Sequence, residues 1–199
     1  MLKLAWLVIF FVTLLWSAIE PHDYPTWLLE VAPAVIGFAV LVFTCRSFPL
    51  TPLLYWLILL HCVVLMIGGH YTYALVPFAD SLGELLGFER NNYDKLGHLL
   101  QGFVPAMIAR EILLRKKVIA STAWRVFFII CFCLALSAVY ELLEWAVAII
   151  AGASSEAFLG TQGYQWDTQS DMFMALLGSA LALLLLRPMH DRQLRRFMP

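Results

Sequence analysis

Residues Trp124–Ile150 read WRVFFIICFCLALSAVYELLEWAVAII, an apolar run long enough to cross a hydrocarbon layer, with two carboxylates, Glu141 and Glu144, toward its end. From Val126 to Tyr140 no charged residue occurs, a pattern that suits lipid as solvent. On either side of it lie five similar runs, Leu4–Ile19, Trp27–Cys45, Pro52–Gly69, Asp94–Leu114 and Asp171–Leu186. The composition agrees: 62% of the 199 residues are hydrophobic and 14% charged, against about 45–50% and about 25% in soluble domains. Mean hydropathy is +0.81. The expected fold is all-α, a polytopic membrane bundle of six transmembrane helices forming a single membrane domain over 1–199. Pro33 and Pro105 fall inside spans and imply that neighbouring helices satisfy the freed backbone groups.

Orientation follows from the basic residues. Lys3, Arg46, Arg110, Arg115, Lys116, Lys117, Arg125 and the tail arginines Arg187, Arg192, Arg195 and Arg196 fall on one side of a six-span chain, leaving Arg90 and Lys95 for the other. Both termini are therefore expected in the cytoplasm, with the first run retained as a span rather than removed as a signal peptide. A net charge of −1 excludes nucleic acid as the main partner. The basic loop and tail act as an orientation signal, with anionic head groups as a second use. Cys45, Cys62, Cys131 and Cys133 lie in apolar runs and suggest neither a disulfide framework nor a zinc motif. Residues 78–90 of the second outward loop are read as an interfacial segment, with a plain connecting loop as the alternative.

With this topology the intramembrane ionisable residues gather at one level. Asp94 and His98 are four apart at the start of span four, Glu141 and Glu144 three apart near the outer end of span five, and Asp167 and Asp171 four apart at the start of span six. Each pair shares a helix face. His70, at the outer end of span three and followed by Tyr71 and Tyr73, reaches the same depth. Each ionisable group costs about 2.5–3.5 kcal/mol to insert, so such groups face inward together. Clustered anions repel unless a cation, shared protons or basic side chains neutralise them. Oxygen and imidazole donors in i,i+3 and i,i+4 pairs are how bundle proteins hold zinc, manganese or iron.

Asp94, His98, Glu141 and Asp171 are thus the candidate ligands of a divalent metal, with His70 orienting them from outside. Glu144 and Asp167 are candidate acid/base groups, and Tyr71, Tyr73 and Lys95 candidate stabilisers of developing negative charge. Individually, Asp94 and Asp167 are also explained as helix caps and His70 as an interfacial residue; Glu141, deep in its run, is not.

The runs HYTY, YDKLGHLLQGF, SAVYELLEW and QWDTQSDMFMALLG resemble the YjdF-type bacterial inner membrane proteins over nearly the whole chain. More distantly, D-K-x-x-H at Asp94–His98, E-x-x-E at Glu141–Glu144 and D-x6-G at Asp171–Gly178 are similar to the motif series of VanZ-like proteins, although those usually carry Gln where this chain has Glu144 and Asn where it has Ala175. The resemblance implies a multi-pass protein of the bacterial inner membrane; it supplies no reaction. The residues support a metal-dependent hydrolase acting on a lipid or amphipathic envelope molecule. The alternatives are a proton- or cation-linked binding or transport protein and an envelope scaffold. Membrane lipid is the expected partner, and a homo-oligomer would be compatible with either class.

Overall fold

The computed structural model describes residues 2–79, 90–151 and 162–197. Along the chain run α1 (Leu2–Ser17), α2 (Tyr24–Thr44), α3 (Pro52–Tyr71), a 3-10 turn (Tyr73–Leu75), α4 (Tyr93–Arg115), α5 (Thr122–Ala151), α6 (Asp167–Leu185) and α7 (Arg187–Leu194). No strand occurs among the described residues. Helices α2, α3, α5 and α6 are long and apolar enough to cross a membrane. The two other runs read as spans are also helical: α1 has 16 residues, and α4 carries charged side chains at both ends. The interfacial reading of 78–90 falls, apart from its edges, outside the described residues.

The helix ends differ from the apolar runs for local reasons. Asp23 caps α2 by accepting the Thr26 backbone N–H at 2.7 Å, and a proline in the first turn helps α2 begin at Tyr24. The same hydrogen bonds hold the Asp23 carboxyl below the usual carboxylate range. Helix α6 begins at Asp167, four residues before the expected Asp171, because the polar first turn DTQS is helical although not apolar. Read from sequence as a basic tail, RPMHDRQL forms α7 and buries His190 and Leu194.

Helix α4 is the centre of the bundle, packing on α3, α5 and above all α6; α3 also receives α1 and α2. The α4–α6 crossing is close because glycines face backbone. A Cβ on Gly102 would lie 1.8 Å from the Ala175 carbonyl oxygen, and one on Gly178 would lie 2.0 Å from that of Leu99. Small residues at crossings replace the hydrophobic drive that lipid removes. The outer faces of α1, α2 and α5 expose side chains such as Val12, Ile36, Phe43, Phe132 and Ile150, as lipid-facing surfaces do.

At the end of the bundle holding the α4 C-terminus, a buried polar network joins three parts of the chain. Glu111 accepts from the Thr51 hydroxyl (2.8 Å) and backbone N–H (3.1 Å), and from Arg115 (2.7 Å). His190 Nε2 lies 2.9 Å from Glu111, and His190 Nδ1 lies 2.9 Å from Arg110. A guanidinium only donates, so Nδ1 accepts and the Nε2 proton goes to Glu111. Arg115 also donates to the Pro49 carbonyl and lies over the Phe48 ring. The α2–α3 loop, the end of α4 and α7 therefore share one end of the molecule.

Candidate functional site

The three carboxylate-bearing pairs meet at the opposite end of α4. Neither Asp94 nor Asp167 is a cap: the N-cap positions are Asn92 and Trp166, neither with a side-chain cap bond. Both carboxylates instead turn inward and are 7% exposed. Asp94, His98 and Asp171 are buried, and ligand-capable atoms of the three all lie within 4.8 Å of one another. His98 Nε2 is 3.4 Å from Asp94 Oδ1. Its Nδ1 lies 3.1 Å from Gln101 Oε1 and 3.7 Å from Glu141 Oε1. One ring nitrogen thus faces the aspartate while the other faces oxygens that orient the ring, the usual setting of a metal-ligating histidine. Glu141, expected as a ligand, stands behind His98, outside the converging trio.

Lys95 occupies the far side of α6's pair. Its ammonium donates to Asp167 at 3.0 Å, Asp171 at 2.7 Å and Ser170 at 2.5 Å. Arg90 donates to Asp167 at 2.8 Å. With both cations on one oxygen, Asp167 is held as an ion-pair partner. Glu144 is half-buried and feels the charges of Glu141, Asp94, His98 and Glu30 without a fixed cation in contact among the described residues. Glu30 of α2 is 1% exposed, and one of its oxygens, like one of Glu141, has no hydrogen-bond partner. Six carboxylates, those of Glu30, Asp94, Glu141, Glu144, Asp167 and Asp171, thus adjoin two fixed cations.

The tyrosines and His70 separate. Thr72, with φ 60°, breaks α3 in the left-handed region and turns the chain back. The Tyr73 ring then lies on Gly68, where a Cβ would come 2.1 Å from it, and reaches Gly97 of α4. The neighbouring Tyr140 hydroxyl donates to Glu30 at 3.4 Å. Tyr71 and His70 face away toward α1: the His70 ring is 4.4 Å from that of Trp16, and its Nδ1 is 3.2 Å from the Ser17 carbonyl oxygen. The structure does not bring them to the cluster.

A cavity of about 150 Å³ opens from Asp94 and His98 and follows one face of α4 past Gln101 to Pro105. That face spans about 16 Å at 1.5 Å per residue. Tyr73 and Tyr140 stand beside the polar end; Pro33, His61, Leu65 and Leu136 complete the wall. His61, Gln101 and Tyr140 were missed as site residues from sequence. Gln101 was signalled by its i+3 spacing from His98, and Tyr140 by its place beside Glu141; His61 carried no local signal.

The sequence profile of the family described as "Predicted membrane protein (DUF2238)" matches residues 2–192. The chain is 53% identical over 184 residues to the inner membrane protein YjdF of Escherichia coli strain K12, covering 92% of this chain and 88% of that protein. These matches lend no support to the VanZ-like resemblance. No solved structure matches the chain. The motif resemblance, the apolar helices and the whole-length relationship agree: the chain belongs to the DUF2238 family and is a multi-pass inner membrane protein.

Proposed function

We propose that the protein is a metal-dependent hydrolase of a lipid or amphipathic envelope molecule, with Asp94, His98 and Asp171 holding a zinc, manganese or iron ion. The observation that carries this reading is the convergence of those three side chains, two of which, Asp94 and His98, line the polar end of an elongated, largely apolar-walled cavity. An amphipathic substrate would place its head at Asp94 and His98 and its apolar part toward Pro105 and Leu136. The surplus of carboxylate over fixed cation is what a divalent ion would offset. When bound, the ion supplies Lewis acidity to a water molecule and to the scissile group.

Glu144 accepts the proton of the attacking water, whose oxygen bonds to the acyl carbon or phosphorus. The bond to the leaving oxygen breaks, and that oxygen takes up the proton from Glu144. Glu141 and Gln101 orient His98; Tyr73 is the hydroxyl placed to steady the developing charge, because Lys95 is engaged by Asp167 and Asp171. We further propose six spans with both termini in the cytoplasm. The gathering of the α2–α3 loop, Arg110, Arg115 and α7 at one end, opposite the cluster, supports this arrangement.

The test uses the full chain in mild detergent with mixed phospholipid and lipid-phosphate substrates and each metal. Glu144→Gln is expected to lower kcat by about 10²–10⁴-fold while leaving bound metal unchanged. Undiminished turnover in that variant and in His98→Ala contradicts the reading. A proton-linked transporter is the second reading, favoured by Lys95 neutralising Asp171 without a metal. It predicts pH-dependent uptake into proteoliposomes that Asp171→Asn abolishes.

A further inference from the structure

Three arginines from three helices line one small cavity of about 30 Å³ at the end of the bundle opposite the carboxylate cluster: Arg110 of α4, Arg125 of α5 and Arg187 at the start of α7. Arg110 is buried, Arg125 half-buried and Arg187 exposed. Among the described residues the carboxylate shared with this trio is Asp191, 2.5 Å from Arg110 and 3.8 Å from Arg187. Glu111, next in sequence to Arg110, is already engaged by Thr51, His190 and Arg115.

Arg125 is fixed by oxygens that carry no charge. It donates to the Ile119 carbonyl at 2.8 Å and to the Thr122 hydroxyl at 3.1 Å, and no carboxylate lies within ion-pair distance among the described residues. Holding three guanidiniums on one cavity costs repulsion that a single aspartate does not offset. An anion with several acceptor oxygens would offset it, and planar guanidinium forks match phosphate geometry. The rest of the wall is Thr122, Val126 and Ile129 of α5 and Leu183 of α6, apolar apart from Thr122.

We propose that a phosphate group binds at the mouth of this cavity, between the guanidiniums, and that the apolar residues of its wall select one carried on an anionic lipid head. The site is separate from the carboxylate cluster and does not rest on the metal reading.

Native mass spectrometry of the full chain in mild detergent tests it, with dioleoylphosphatidylglycerol, dioleoylphosphatidylcholine or inorganic phosphate added separately. About 0.3 M salt suppresses unspecific surface attraction. Arg125→Gln/Arg187→Gln is expected to weaken phosphatidylglycerol binding about tenfold, whereas Arg195→Gln/Arg196→Gln, which removes equal charge elsewhere on the tail, leaves it near wild type. Should the first pair disturb folding, Arg187→Gln alone, at an exposed position, is expected to give a smaller loss in the same direction. Equal losses in both pairs, or none in either, overturn the site. Saturation by inorganic phosphate alone, lost in the first pair, upholds the phosphate site and overturns the lipid source.

Discussion

Gly102→Val is expected to lower the unfolding temperature in mild detergent by about 6–12 °C, from a destabilisation of about 3 kcal/mol or more. A Cβ there meets the Ala175 carbonyl oxygen at 1.8 Å, then the Ala175 carbonyl carbon and Cα. All three are backbone atoms, so no rotamer change relieves the clash and α6 must move as a unit. The displacement would also shift Asp171, one turn before Ala175, away from Asp94 and His98. Gly37→Ala is the matched control: nothing lies within 4 Å of its added Cβ, and its helical position predicts a gain of about 0.5–1 kcal/mol. A Gly102→Val midpoint within about 2 °C of wild type would show that the α4–α6 crossing is looser than described.

Glu111→Ala is expected to cost about 3–5 kcal/mol, the usual consequence of removing one partner from a buried ion pair. The substitution strands the Thr51 N–H, the His190 Nε2 proton and one Arg115 donor in a region where Glu111 and His190 are both 0% exposed. Since Glu111 is the carboxylate through which α4 holds both Thr51 and α7, the loss is local as well as global. Trypsin is expected to cut after Arg192 faster in the variant than in wild type at a temperature where both remain folded. Unchanged cleavage together with an unchanged midpoint would contradict the role given to the network.

The contrast between the two ends of α4 shows what sequence can carry. Asp94 with His98, Glu141 with Glu144 and Asp167 with Asp171 were legible because helical spacing fixes a shared face, and an apolar context makes an outward-facing charge expensive. Their meeting at one level follows from span order alone. Glu111 and His190 were not legible as partners. Each lies among basic residues that the sequence reading assigns to orientation, and 79 positions separate them.

Tyr73 and His70 illustrate the other limit. Both follow from the same stretch, HYTY, yet the backbone turn at Thr72 sends Tyr73 onto Gly68 and Gly97, while His70 remains on the α3 face that packs on α1. A positive φ at a threonine has no compositional signature. Similarly, spacing and depth group Glu141 with His98, and its Oε1 lies 3.7 Å from the imidazole, but only side-chain geometry distinguishes a group behind the imidazole from one beside Asp94.

The proposed hydrolase stands on a metal site at Asp94, His98 and Asp171. Quantitative elemental analysis of the full chain tests it, comparing wild type with a His98→Ala/Asp171→Asn variant after identical exposure to zinc, manganese or iron and identical washing. Near-stoichiometric metal in wild type and its loss from a variant that remains monodisperse is the predicted result. Wild type that retains none of the three metals, or a variant that retains as much as wild type, would contradict it.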